Sequence, residues 1–503
     1  MPSALRIEGR TAPEIRAVIE SFLKNCREPA LLEPGEDILP LGKDNFSLEV
    51  HGSRLILEAW DRARNFSRRL TAIKGASASR LELVVEHFGK RQGQMFLLDL
   101  SRRAGAELGR RSGRLVFRER FRLFLRRQFP EWKLAELSAE ANLEFSLSPV
   151  YPRAYLRHGQ HGWAAIACPS DADSGAVLTF GLIWLSYLRA RERRVAIEGL
   201  VVYVPQGHEQ ATALRLHCLD DGAARFALFA YSPEDFLAAI DPHDRGNLDT
   251  RLEPCRRPAP NHSEAWTNVA SLPGVERVSK HDGRASLRIR GLEFAELSGD
   301  GALAFGLEDR QPARSHHASE IERLVEELAS ARSHDTTDRD HPLYRRYPEA
   351  WLESQVRRHI ETVDAALLPE PIYDQVPAFA GGERGVLDLL AVDRTGRLAV
   401  VELKATADLH LPLQALDYWV RVQWHLDRGE FSERGYFPGL ELQPEPPRLL
   451  LVSPSLEFHP TTEAILSYFS PSIEVVRVGL GMDWRKELQV MFRLAGAQKP
   501  QSG

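Results

Sequence analysis

The sequence predicts a multidomain α/β protein in which α+β domains precede a carboxyl-terminal α/β core built on a mixed sheet. Three observations lead there. The chain has 503 residues, enough for about three or four domains of ordinary size. Its residues are 43% hydrophobic and 27% charged, the balance of a globular chain and not of a disordered one. Short runs rich in Val and Leu, bounded by turn residues, alternate with stretches whose apolar residues recur at spacings of three and four, so strands and helices are interleaved.

Residues 1–115 open with the helical stretch APEIRAVIESFLKN and continue into the strand-like NFSLEVHGSRLILEAW and GQMFLLDLS, which reads as a small α+β domain. It offers no nucleophile, metal cluster or phosphate loop. GRRSG, at 109–113, lacks the Lys and Ser/Thr of such a loop and reads as a basic turn. Arg102 to Arg127 is dense in arginine, which suits either a phosphate-binding surface or the solvated side of a helix with Phe117, Phe121, Phe124 and Leu125 inward.

Residues 116–262 read as an α/β domain: a helix over 117–129, strand-like NLEFSLSPVYPRAYL and WAAIAC, the helix LTFGLIWLSYLRAR and the strand IEGLVVYVP. Residues 263–308 hold a small β element, with ASLRIRGLEFAEL and ALAFGLE as its strands. Residues 309–341 read as a polar connector with one amphipathic helix centred on Ile321, Leu324 and Leu328, and its adjacent His316 and His317 read as solvent-exposed.

Residues 342–503 carry the chemistry. PEAWLESQVRRHIETV has Trp351, Leu352, Val356, Ile360 and Val363 on an apolar helical face, with Glu353 at its edge. Next, GVLDLLAVDRTGRLAVVELKA (385–405) reads as a hairpin folded about Thr395, which sets Asp388 opposite Glu402. Side chains alternate along a strand, so Glu402 and Lys404 share a face while Leu403 points the other way. Two carboxylates and an ammonium inside an apolar element need compensation, and a hard divalent cation is the natural one. The helix LPLQALDYWVRVQWH follows, with Leu413, Leu416, Val420 and Trp424 as its apolar stripe. Gln414, Tyr418, Arg421 and His425 form a second, polar ridge able to face a ligand. RLLLVSPSL, SIEVVRVGL and WRKELQVMFRL complete the domain.

The order helix with Glu353, strand, strand with Asp388, strand with Glu402-x-Lys404, helix with Gln414-x-x-x-Tyr418 resembles the PD-(D/E)XK nuclease superfamily, in its RecB-type branch. Leu387 stands where the pattern has proline, and residues 342–503 contain no cysteine, so no iron-sulfur cluster is expected. The resemblance implies a restriction-endonuclease-like core that hydrolyses phosphodiester bonds with Mg²⁺, for which Mn²⁺ would substitute. It implies Asp388, Glu402 and the Leu403 carbonyl as metal ligands, and Glu353 as a ligand directly or through water. Lys404 would act on the attacking water or the scissile phosphate, and Gln414 and Tyr418 would position the substrate backbone. Arg421 and His425, which extend the ridge in this chain, are expected to meet phosphates as well. Within 116–262, WAAIAC stands where the active hairpin has Glu402 and Lys404, and Gly181 near the place of Gln414. That stretch is a degenerate nuclease-like copy or an unrelated α/β domain.

The formal net charge of −5 excludes a protein that coats nucleic acid with its whole surface, though not one with a local basic site. Cys26, Cys168, Cys218 and Cys255 have no metal-ligand spacing and read as reduced thiols. No signal-peptide core and no long apolar run is present, so a cytoplasmic chain without a membrane partner is expected. The expected function is a deoxyribonuclease of DNA repair or defence. DNA is the expected partner, with RNA open, and the alternatives are an inactive nucleic-acid-binding protein of the same fold and a scaffold subunit.

Overall fold

The computed structural model describes residues 11–498 except 62–63, 87–91, 249, 257–263, 299–301 and 381–382, with backbone alone at 264–266, 315, 375–380 and 383–387. The first ten residues and the boundary expected near 262 lie outside the described residues. The chain forms two compact units, Met1–Asn142 with Ser148–His158, and Leu143–Leu147 with Gly159–Gly503.

In the first unit, helix α1 (Ala12–Asn25) starts at a capping box between Thr11 and Glu14. Strands β1 (Pro29–Leu32), β2 (Leu39–Pro40), β3 (Phe46–His51), β4 (Arg54–Trp60), β5 (Asn65–Ala76), β6 (Arg80–Glu86) and β7 (Gln92–Asp99) form an antiparallel sheet in the order β2-β1-β7-β6-β5-β4-β3. Ile15 and Ile19 of α1 pack on its apolar face with Leu55, Leu57, Leu83 and Leu97. Helix α2 (Arg103–Gln128) and the hairpin of β8 (Lys133–Ser138) with β9 (Arg153–His158) complete the unit. Phe117, Phe121, Phe124 and Leu125 are buried, as their spacing implies.

GRRSG is not a turn but part of the continuous helix α2, which also runs through the domain boundary expected at 115/116. At Gly109 packing needs a small residue, since a Cβ there would lie 2.9 Å from Ile38 Cδ1, whereas a Cβ on Gly113 would meet nothing within 4 Å. The strand expected across 142–156 begins only at Arg153.

The second unit starts with β10 (His161–Ala167), a 3₁₀ turn at Asp171–Ala176, α3 (Val177–Arg191), β11 (Ala196–Pro205), α4 (Gln210–His217), β12 (Arg225–Tyr231) and β13 (Leu237–Ile240). Strands β10, β11 and β12 are parallel and β13 is antiparallel to β12. Strand β14 (Thr250–Leu252) follows, then α5 (Glu264–Ala270) and an antiparallel sheet of β15 (Val275–Ser279), β16 (Ala285–Ile289), β17 (Leu292–Leu297), β18 (Leu303–Phe305) and β19 (Gln311–Pro312). Helix α6 (Ala318–Ala331) is not a connector. Its Ile321, Val325 and Leu328 enter one core with Leu287, Phe294 and Phe305, because an apolar stripe of this kind needs a sheet face to cover.

The carboxyl-terminal elements are α7 (Pro342–Arg345), α8 (Pro348–Arg358), α9 (Ile360–Val363), β20 (Tyr373–Ala380), β21 (Glu383–Val392), β22 (Leu398–Leu403), α10 (Leu411–Asp427), α11 (Glu430–Glu433), β23 (Arg448–Pro454), α12 (Thr462–Leu466), β24 (Val475–Leu480) and β25 (Val490–Ala495). They build a mixed sheet in the order β14-β20-β21-β22-β23-β24-β25. Strands β20, β21 and β22 form an antiparallel meander, β22, β23 and β24 are parallel, and β25 is antiparallel. The edge strand β14 comes from outside the expected 342–503 boundary. Trp351, Leu352 and Val356 of α8 form a core with Leu389, Val401, Leu403 and Leu450. Among the described residues no helix is long and apolar enough to cross a membrane.

Candidate functional site

The site begins with the β21–β22 hairpin. Asp393 caps its turn, accepting hydrogen bonds from the Thr395 and Arg397 backbone N–H groups at 2.8 and 3.0 Å. Leu389 then pairs with Val401, so the next positions outward are Asp388 and Glu402. Every residue of β22 is buried. Its Val401 and Leu403 join the core under α8, and the alternation of the strand sends Glu402 to the opposite face, where α10 packs.

Asp388, Glu402 and Lys404 line one cavity of about 500 Å³ together with Gln414, Tyr418 and Arg421. Asp388 Oδ2 accepts the Leu403 N–H at 2.8 Å, which ties the two strands at the cavity floor. Lys404 Nζ stands 3.7 Å from Glu402 Oε1 and 3.9 Å from Asp408 Oδ2. Burial pushes the Asp388 carboxyl up to about 6, against the opposing pull of the Leu403 N–H and Lys404. Burial, and after it the Asp388 charge, hold Glu402 well above the ordinary carboxylate range. The Tyr418 hydroxyl is raised by burial and then by both carboxylates, so it remains a neutral donor at physiological pH. Helical periodicity puts Gln414, Tyr418 and Arg421 on one ridge of α10, and the Arg421 guanidinium lies 5.8 Å from the Tyr418 ring centre.

Glu402 Oε2 and Gln414 Oε1 are buried in this cavity wall without a hydrogen-bond partner. Such orphaned oxygens are costly unless something outside the protein's own bonding satisfies them. Two carboxylates with hard oxygen donors fit Mg²⁺ or Mn²⁺, which keeps several waters and takes one or two protein carboxylates.

Two of the expected residues do not line this cavity. Glu353 stands on α8, where its carboxylate accepts from Arg288 Nη1 at 3.2 Å, and its carboxyl is raised by burial, then by the Asp374 charge and also by that of Asp388. Arg288 Nη2 donates to Asp374 Oδ2 at 2.8 Å, so this guanidinium from the small β element binds two buried carboxylates. Glu353 does not line the cavity. His425 is 1% exposed near the far end of α10, with Nδ1 2.7 Å from Glu430 Oε2 and Nε2 3.1 Å from Thr250 Oγ1. It therefore does not extend the polar ridge to a ligand and instead ties α10 to β14 and α11.

Other residues of the cavity carry no local sequence signal. Arg215 of α4 donates to both carboxylate oxygens of Asp417 at 2.8 and 2.7 Å, and also to the Gly175 carbonyl. His410 Nδ1 lies 3.1 Å from Thr179 Oγ1 at the start of α3. Ala172, Gly175, Ala176 and Thr179 close the cavity from that side. Only the tertiary fold brings Arg215 to Asp417, 202 residues away. Comparison of the chain with protein-family models, with curated proteins and with solved structures gives no match.

Proposed function

We propose that this protein is a metal-dependent deoxyribonuclease whose site is the cavity between β21, β22 and α10. One observation carries the reading: Glu402, with a buried and unpartnered Oε2, shares a cavity with Asp388, Lys404, Gln414 and Tyr418. The meander β20–β21–β22, the helix α10 and the parallel strand β23 support the PD-(D/E)XK resemblance at the level of element order.

Asp388 and Glu402 would hold Mg²⁺, which when bound supplies Lewis-acid polarisation of the scissile phosphate and a more acidic water. The chain's own groups do the rest. The Leu403 N–H fixes one oxygen of Asp388 and leaves the other to the cavity. Lys404 Nζ, beside Glu402, orients the attacking water and counters charge that develops on the phosphate. The neutral Tyr418 hydroxyl and the Gln414 amide donate to phosphate oxygens on either side of the cut, and Arg421 adds a positive charge on the same ridge. Held this way, one strand meets the site with its backbone towards α10, and its bases are not read.

The test is Mg²⁺- or Mn²⁺-dependent cleavage of labelled single-stranded, double-stranded and flapped DNA by the wild type beside Glu402→Ala and Glu402→Gln. Cleavage by the wild type alone supports the reading. If neither cuts and DNA is still bound, the protein is an inactive binding module, and a parallel RNA substrate decides between the two nucleic acids.

A further inference from the structure

Two stretches of the second unit repeat one design. β10, α3, β11, α4, β12, β13 and β22, α10, β23, α12, β24, β25 have the same order, with three parallel strands followed by one antiparallel strand. Over the parallel strands their registers agree to the residue. Pro205 pairs with Tyr231 as Pro454 pairs with Leu480. The Gln206 N–H donates to the Tyr231 carbonyl at 2.9 Å, and the Ser455 N–H to the Leu480 carbonyl at 2.7 Å. The Cys168 N–H donates to the Tyr203 carbonyl at 2.8 Å, and the Lys404 N–H to the Val452 carbonyl at 3.1 Å. One constant offset in numbering relates Pro205, Gln206, Tyr203 and Tyr231 to their counterparts.

The two copies also meet as equals. Leu219, after α4, bridges antiparallel to Phe469, after α12. The Asp220 N–H donates to the Tyr468 carbonyl at 2.8 Å, and the Ser470 N–H donates to the Cys218 carbonyl at 2.9 Å. α4 packs against α10 as α12 packs against α3. The strand offset makes Tyr468 the counterpart of Leu219, so at this seam each loop meets its counterpart one residue out of that numbering, in the near two-fold manner of a self-complementary interface.

The shared register sets Ile166 where Glu402 stands and Cys168 where Lys404 stands. Ile166 is 1% exposed, and a Cβ built on Gly181 of α3 would lie 3.1 Å from its Cγ2. Hydrocarbon fills the place that holds the carboxylate in the other copy.

We infer that the chain is a two-fold pair of nuclease-like cores fused in one polypeptide with a single cutting site, so that it breaks one strand in each encounter with a duplex. This rests on the nuclease reading above. The first copy serves as the fixed second wall of the live site: its Arg215 holds Asp417 on α10, and its Gly175 and Thr179 line the cavity. Each event breaks one P–O bond. Water gives its hydroxyl to phosphorus and its proton to the departing sugar oxygen, and the opposite strand stays whole.

The experiment follows the full-length protein on supercoiled plasmid with Mg²⁺, beside Mn²⁺ binding measured by electron paramagnetic resonance. Open circles should accumulate first, with linear DNA only after a lag, and Glu402→Gln should remove Mn²⁺ binding from the whole chain. Cleavage confined to single-stranded substrates, with the plasmid left supercoiled, overturns the inference. Linear product in constant ratio to open circles from the earliest time points overturns the inference, as does Mn²⁺ binding retained in Glu402→Gln. Failure of the wild type to cut any DNA instead overturns the nuclease reading itself.

Discussion

Replacing Asp388 by Asn should make the metal-free protein more stable, although it removes a residue of the proposed site. The carboxyl goes from an ordinary value of 3.8 in the unfolded chain to about 6 in the folded one, mainly through burial. A gap of roughly two pH units corresponds to about 3 kcal/mol, because each unit is worth about 1.4 kcal/mol. The sign follows from proton binding. Between the two values the folded state keeps its proton and the unfolded state has lost it, so stability falls as pH rises through this window. The favourable contribution is full below about pH 3.8, is gone above about pH 6 and does not return. Asp388→Asn keeps an oxygen for the Leu403 N–H and carries no charge to bury. Its loss also relieves Glu402, whose carboxyl is raised in part by the Asp388 charge. Urea unfolding in a chelator at pH 8 should therefore show the variant ahead by about 1 to 3 kcal/mol, with the margin closing towards pH 4. Mg²⁺ at a thousand times its Kd should reverse the order, since it then adds about 4.1 kcal/mol to the protein that binds it. A variant no more stable than wild type at pH 8 without metal would refute the reasoning, and so would a margin that ignores pH.

Arg288→Met should destabilise the protein by about 3–5 kcal/mol, because it leaves the buried Glu353 and Asp374 with Arg357 alone for a cation, and an unchanged urea midpoint would count against this. Arg215→Met and Asp417→Asn should be non-additive, with a coupling of about 0.5–3 kcal/mol in a double-mutant cycle read by unfolding, whereas additive losses would mean the bidentate pair does not act as a unit. Arg421→Ala should weaken DNA binding and flatten its salt dependence by roughly one counterion, while His425→Gln should change stability and leave that salt slope alone. Equal salt slopes for wild type and Arg421→Ala would remove Arg421 from the binding ridge.

The hairpin about Thr395 was legible because its signals are local: a turn of Asp, Thr and Gly between two Val/Leu runs fixes register, and register fixes which residues share a face. The ridge of Gln414, Tyr418 and Arg421 was legible for the same reason, as the helical repeat requires no knowledge of what the helix packs against. The periodicity also marked Glu353 and His425 as polar edge residues. It could not say which buried partners each would meet, and both are held by groups distant in sequence, Arg288 and Thr250. GRRSG shows the opposite failure. Its glycines read as a turn, and only the neighbour Ile38 explains why the helix needs a small residue at Gly109.

The sequence by itself therefore determined the β21–β22 hairpin, the helix α10 and the charged face of β22, since these follow from alternation and spacing along a few residues. Only the tertiary structure decided which charges are neutralised within the protein and which are left facing the cavity. It also decided that the second wall comes from residues 172–179 and Arg215, because burial and pairing depend on segments that approach one another only when the chain is folded.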